Sequence, residues 1–355
     1  MIDISSLGEL DMEKNVVLIT GAAGFIGGAL ILNLVENTDY QIIGIDNLNN
    51  YYDVALKNYR LERIRKNDES KMFTFIKADV SDKKRMNDIF DEFNPDIVVH
   101  LAAQAGVRYS IENPDVYIQS NIIGFYNILE ACRSSKDKEN NHLKHLIYAS
   151  SSSVYGNNEK IPYSEEDSTD HPVSLYAATK KADEAMAYSY SKLYGIPMTG
   201  LRFFTVYGPA GRPDMAYYKF TEKLLRGEKI ELYNRGNNKR DFTYIDDVVE
   251  GIVRILNREV PESYYKIYNI GNNTPVDTET FVHILFCQLK NSGILEVDEP
   301  ENFIVRTGEE KGDVNTTYAD VERLYKDFGI KPKVSLEVGL NRFAVWFVSY
   351  KFSTE

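Results

Sequence analysis

Cysteine is nearly absent from this chain. Cys132 and Cys287 are the only two, far apart and outside any CxxC spacing, so neither a disulfide framework nor a zinc knuckle organises the fold. The five histidines are scattered, with no HExxH or comparable ligand spacing. Positive charge is in deficit: 41 Lys and Arg oppose 53 Asp and Glu, a net charge of −12. That balance disfavours a phosphate-backbone partner such as DNA or RNA. No apolar run approaches the ~18 residues that span a bilayer. The opening MIDISSLGEL has neither the basic stretch nor the apolar core of a secretion signal. These absences lead us to expect a reduced, cytoplasmic, metal-free protein with no nucleic-acid or membrane partner.

What is present suits a globular protein: 43% hydrophobic and 26% charged residues over 355 positions, enough for one large domain or two smaller ones. Strand-like runs recur through the first 200 residues: VVLIT (16–20), QIIGID (41–46), FTFIKAD (73–79), DIVVHLAA (96–103), HLIYAS (145–150) and PMTGLRFF (197–204). They are nearly continuous apolar runs rather than alternating ones, as in a sheet covered on both faces. The segments between them, 25–37, 54–66, 82–93, 115–133 and 174–194, are long enough for helices. The expectation is an α/β fold, a Rossmann-type doubly wound parallel sheet over residues 14–204. Beyond residue 205, Gly, Pro and Asn interrupt the alternation. A smaller C-terminal α/β lobe is expected over 205–350, with some segments free to cross back.

VVLITGAAGFIGGAL places Gly21, Gly24 and Gly27 after a strand and at the mouth of a helix. Gly21 permits the tight turn, Gly24 lets backbone approach a diphosphate, and Gly27 lets helix and strand pack closely. Free N–H groups at the helix start suit an anion. Asp46 ends the second strand, 22 residues after Gly24, where an acid accepts hydrogen bonds from the adenosine ribose. It would also repel a 2′-phosphate, which favours NAD over NADP. Asp79 and Val80 follow the third strand, where they could meet adenine. Leu101, Ala102 and Ala103 follow His100 at the end of the fourth, where small side chains let backbone pass close to the cofactor.

SLYAATKKADEAM carries Tyr176 and Lys180 four residues apart, on one helix face. An ammonium beside a phenol favours the phenolate and makes tyrosine a usable base. With 25 tyrosines in the chain such a pair alone says little. The run SSSSVYG at 150–156 changes the reading: it follows the fifth strand, at the carboxyl edge where ligands of doubly wound sheets bind. Ser151 there would hold the hydroxyl that Tyr176 deprotonates.

In this order these features resemble the extended short-chain dehydrogenase/reductase family, the NAD-dependent epimerase/dehydratases. Longer segments are similar to the UDP-glucuronate 4-epimerases within it: IDNLNNYYDVALKNYRL, HLAAQAGVRYSIENPDVY, HPVSLYAATKKADE, GLRFFTVYGPAGRPDM and RDFTYIDDVVEGI. The resemblance spans roughly 14–350. It implies a Rossmann domain with a UDP-sugar lobe, usually paired as a homodimer through a four-helix bundle. It implies Tyr176 as base, Lys180 as its partner and Ser151 as hydroxyl relay. The implied cofactor set also takes in Phe25, Ile26, Asn47, Asn121 and Ser150. Ser152, Ser153 and Thr205 would line the sugar and its carboxylate, Arg212 and Arg240 would meet the UDP portion, and Asp313 the uridine ribose. The chain departs from the family at RTGEEKGDV, where Gln-Pro typically precedes GDV.

The implied reaction is NAD-dependent 4-epimerisation of UDP-glucuronate to UDP-galacturonate through a 4-keto sugar. Related dehydratases carry Asp-Glu, and UDP-glucuronate decarboxylases a Glu, just before VYG. Ser152 and Ser153 stand there in this chain, and neither has a useful pKa. A UDP-glucose or UDP-N-acetylglucosamine 4-epimerase is the nearest rival, commonly with Asn where this chain has Thr205. A non-catalytic NAD-sensing regulator is the reading from another class.

Overall fold

The computed structural model describes residues 15–138, 142–296, 299–308 and 314–352. Strands β1 (Val16–Thr20), β2 (Gln41–Asp46), β3 (Phe73–Lys77) and β4 (Ile97–His100) alternate with helices α1 (Phe25–Asn37), α2 (Val54–Asn67) and α3 (Lys83–Phe93). Two single turns follow, α4 (Tyr109–Glu112) and α5 (Pro114–Tyr117), then a π-helical segment, Ile118–Ile123, that runs into α6 (Gly124–Lys136). The alternation ends with β5 (His145–Ser151), α7 (Leu175–Tyr194) and β6 (Met198–Phe203). The remainder comprises β7 (Thr205–Tyr207), α8 (Ala216–Leu225), β8 (Ile230–Leu232), β9 (Lys239–Tyr244), α9 (Ile245–Leu256), β10 (Tyr265–Ile270), β11 (Pro275–Asp277), α10 (Thr278–Asn291), β12 (Ile304–Arg306), α11 (Glu322–Phe328) and α12 (Leu336–Phe352).

Seven strands form the main sheet in the order β10-β6-β5-β4-β1-β2-β3, every pairing parallel. Strand order reverses between β1 and β4, which opens a crevice at their carboxyl ends. Burial on both faces explains the apolar runs of the alternating part except in β3, which lies at the sheet edge and has only half-buried and exposed residues. Val17 and Ile19 enter one core cluster and Leu18, between them, the other. β10 comes from beyond residue 204, so the C-terminal part contributes the edge strand beside β6. The smaller sheets, β11-β9-β7 and β12-β8, lie in that part. Among the described residues no helix is long and apolar enough to cross a membrane.

The helix expected over 115–133 differs from a plain α-helix, because the π-helical turn interrupts it. That wider turn contains Asn121, whose buried amide bonds to the backbone of Gln104. At its end Gly124 passes so close to Val80 that a Cβ would lie 2.6 Å from the valine Cγ2. Such single π-turns inside α-helices are frequent at functional sites.

Candidate functional site

Several helix starts are closed by a side chain at the cap. Asp53 accepts from Ala55 N at α2, Asp82 from Arg85 N at α3 and Ser174 from Ala177 N at α7. α1 is different: its N-cap is Gly24, with no side-chain cap. The first helical bond is Gly28 N to Gly24 O at 3.0 Å. The N–H groups of Phe25, Ile26 and Gly27 therefore have no intrahelical acceptor, and they face the cavity that the loop borders. Small residues are required for this shape. A Cβ on Gly27 would sit 2.1 Å from Gly21 O. One on Gly21, whose φ is +74°, would sit 2.9 Å from Ala102 N.

The cavity holds about 420 Å³. It runs from the glycine loop and Asp46, past the loop after β4, to the ends of β5 and β6. It brings together Gly21, Gly24, Phe25, Ile26, Gly27, Asp46, Asn47, Val80, Leu101, Ala102 and Ala103 with Ser150, Ser151, Ser152, Ser153, Tyr176, Lys180, Thr205 and Arg212. Asp46 is fixed by two backbone donors, Ala23 N at 3.1 Å and Leu48 N at 2.8 Å. Ser151 caps a short turn by accepting from Ser153 N at 3.2 Å, which turns the serine run toward the cavity.

Three expected residues stand elsewhere. Asp79 does not line the cavity; it accepts from Asn47 Nδ2 at 2.8 Å and from Ser81, and so orients Asn47. Burial works against the Asp79 charge, but these bonds outweigh it and hold the carboxyl below its usual range. Asn121 lies behind the wall and donates to Gln104 O at 3.1 Å and Thr179 Oγ1 at 2.9 Å. Arg240 sits on β9 outside the cavity, with Nη1 on Lys239 O at 3.0 Å. Asp313, and the Glu310-Lys311 departure beside it, lie outside the described residues.

The residue-by-residue reading missed Tyr51, Tyr52 and Lys57, which line the cavity from the segment after β2, and Gln104 through Val107 after β4. Lys57 Nζ bonds Asn49 O and Oδ1, both at 2.8 Å. Burial lowers its pKa and Asp46 opposes that. The tyrosine-rich and Asn-rich text NNYYD was the available signal, but it resembles an ordinary polar loop.

At the other end Lys180, 2% exposed, donates to Ala149 O at 3.1 Å. Arg212 makes a two-point contact with Asp214, Nε to Oδ1 at 3.0 Å and Nη2 to Oδ2 at 2.7 Å. Burial opposes the Arg212 charge, but Asp214 outweighs it and keeps the guanidinium protonated. The site thus offers a hydroxyl cluster, the phenols of Tyr176 and Tyr51 and two cations at one end, and an anion cradle with a carboxylate at the other.

Away from this cavity, Glu279, His283 and Glu301 bring three potential metal-ligand atoms within 4.8 Å of one another. Arg306 Nη2 already bonds Glu279 Oε1 at 2.6 Å and Glu301 Oε2 at 3.0 Å, so the group is an ion-pair network.

Known proteins share this plan. "Protein CapI" of Staphylococcus aureus is 46% identical over 349 residues, which cover 94% of this chain and 98% of that one. "UDP-glucuronate 4-epimerase 1" of Arabidopsis thaliana is 44% identical, over 94% of this chain and 77% of the relative. The crystal structure of UDP-glucuronic acid 4-epimerase from Bacillus cereus, in complex with UDP-glucuronic acid and NAD, superimposes with a TM-score of 0.83 at 31% identity. That alignment covers 94% of this chain and 99% of the other. The family model matches residues 17–271, from β1 to the end of β10, the same stretch that builds the sheet and its crevice. The chain belongs to the NAD dependent epimerase/dehydratase family.

Proposed function

We propose that this protein epimerises UDP-glucuronate at C4, giving UDP-galacturonate through a 4-keto intermediate. The observation that carries this reading is the wall around the sugar end of the cavity. Ser151, Ser152, Ser153, Thr205 and Arg212 line it. Among the described residues that line the cavity, the one carboxylate is Asp46, on β2, three strands from β5 and so about 14 Å away. A uronate carboxylate meets hydroxyl donors at the sugar end, beside Arg212, whose charge Asp214 partly offsets from behind the wall.

The residues fit NAD. Three first-turn N–H groups suit the diphosphate, and the Asp46 carboxylate suits the adenosine ribose diol while repelling a 2′-phosphate. NAD⁺, when bound, supplies reversible hydride acceptance from C4. Tyr176 takes the C4 hydroxyl proton and later returns it, with Lys180 favouring the phenolate. Ser151 holds that hydroxyl. The 4-keto uronate is a β-keto acid, which loses CO₂ when the C5–C6 bond aligns with the carbonyl π system. Hydroxyl hydrogen bonds to a charged acceptor, each worth about 1.5–3 kcal/mol, hold the carboxylate out of that alignment.

Purified protein given UDP-glucuronate, UDP-glucose and UDP-N-acetylglucosamine separately, with products resolved by chromatography, tests the reading. UDP-galacturonate without CO₂ is expected; faster turnover of either neutral sugar, or pentose product, overturns it. Ser152→Ala or Thr205→Ala should weaken UDP-glucuronate more than UDP-glucose and raise the share of pentose. If neither does, Arg108, stacked on Tyr233 at 4.5 Å, is the next residue to vary.

The assembly we propose is a homodimer joined by the outer faces of the 114–136 stretch and α7, where Ile118, Ile123, Tyr188 and Leu193 are exposed. Light scattering at micromolar concentration should give twice the chain mass, and a monomer refutes this.

A further inference from the structure

Lys180 does not act on Tyr176 as an isolated cation. Its Nζ donates to Asp183 Oδ2 at 3.0 Å, and both side chains are only 2% exposed. The i, i+3 spacing puts the pair on one face of α7, turned into the sheet. The other Asp183 oxygen, Oδ1, has no hydrogen-bond partner, so this carboxylate is committed to Lys180.

Tyr176 also faces the Tyr117 ring of α5 at 6.1 Å and the Arg212 guanidinium, which Asp214 holds. The other charged and titratable groups packed around the Lys180–Asp183 pair are engaged elsewhere. Glu184, next on α7, makes a two-point contact with Arg202 of β6 at 2.8 and 2.9 Å and accepts from Ser150 of β5 at 2.6 Å. His100 of β4 bonds Thr20 at 2.8 Å, and burial, reinforced by Lys180, drives its pKa down to about 3, leaving it neutral. Tyr148 of β5 and Tyr265 of β10 bond each other at 2.9 Å, and burial holds both phenols protonated.

We propose that Asp183 is a positioning residue for proton transfer: it fixes the Lys180 ammonium and cancels part of that charge's effect on Tyr176, setting the pH at which the tyrosine works as a base. This rests on the proposed role of Tyr176. A lone ammonium lowers a nearby phenol's pKa; a carboxylate in contact with the same ammonium opposes that. Asp183 lies seven residues beyond Tyr176, roughly 10 Å along the helix. At an effective dielectric near 20, a unit charge at that distance moves a neighbour's ionisation by about one pH unit. Burial, partly offset by Lys180, raises Asp183 itself to about 6, so the pair changes its net charge near neutral pH.

The test uses Asp183→Asn, which keeps the shape and removes the charge. Phenolate absorbance is titrated in the NAD-loaded protein without substrate, against the same background carrying Tyr176→Phe, so that only Tyr176 remains in the difference. Its midpoint should move about one unit to the acid side, and the acid limb of kcat/KM should follow while UDP-sugar affinity holds. Asp183→Glu should restore the wild-type midpoint; with Lys180→Met already present, unopposed burial leaves Asp183 protonated, so Asp183→Asn should add nothing. An unmoved midpoint, or an alkaline shift from loss of the Lys180 proton, overturns the proposal. If Asp183→Asn does not fold, Asp183→Ser carries the same expectation. Near-normal turnover of Tyr176→Phe would instead mean that the base has been misassigned.

Discussion

Arg60 is the side chain on which the two ends of the cavity depend. It rises from α2, 4% exposed, and spends its guanidinium on neutral acceptors. Nη1 bonds Ala23 O at 2.8 Å, in the glycine loop, and the Tyr52 hydroxyl at 2.7 Å. Nε bonds Ala210 O at 2.9 Å and Nη2 bonds Gly211 O at 3.1 Å, in the loop that carries Arg212. Arg60 therefore ties the anion cradle to a loop that lies 150 positions beyond Arg60 itself. Arg60→Met keeps the aliphatic stem and leaves three carbonyls without their donor. At the low end of the range, about 1 kcal/mol for each orphaned acceptor, the loss is about 3 kcal/mol. That is a large share of a marginal total of roughly 5–15 kcal/mol. Urea unfolding followed by circular dichroism should show a lower midpoint at unchanged slope. Calorimetry should show NAD⁺ and UDP both binding at least tenfold more weakly, about 1.4 kcal/mol each, because both loops lose their common anchor. Arg60→Lys, able to reach only part of the set, should fall between. A stability loss below about 1 kcal/mol with both affinities intact would refute the reasoning.

Gly27→Ala forces a Cβ toward Gly21 O, 2.1 Å away in the present geometry; thermal melting and NAD⁺ titration should show both stability and affinity reduced. Titrating NAD⁺ and NADP⁺ into apo protein should give clearly tighter NAD⁺ binding, and Asp46→Asn should narrow the gap; equal affinities in the wild type would remove Asp46 as the selector. Asp241 accepts from Asn272 N, Asn273 N and Ala319 N, yet burial raises its pKa from 3.8 to about 6. The protonated form is thus favoured on folding, and this contribution is full below pH ~4 and lost as pH rises through about 6. Denaturation between pH 4 and 7 should show Asp241→Asn with a flatter decline over that window than wild type.

The main-sheet strands before residue 204 were legible because each is a short, mostly apolar run bounded by turn residues, and in all but the edge strand β3 burial on both faces leaves that mark in the sequence. The glycine loop was legible because backbone geometry admits so few residues at 21, 24 and 27. Tyr176, Lys180 and the serine run could be placed at one edge because strand ends converge there in any doubly wound sheet. Side-chain identity alone did not separate cavity walls from what stands behind them. Asp79 and Asn121 bear on the cavity through Asn47 and Gln104, and Arg240 lies on another sheet. The π-helical turn, the recruitment of β10 beside β6, and the engagement of Arg212 by Asp214 were likewise decided by packing. Arg60 shows why. Its partners lie at 23, 52, 210 and 211, and nothing local to KNYRL requires a buried guanidinium. Local periodicity and turn chemistry are written along the chain, whereas long-range hydrogen bonding exists only once the chain has folded.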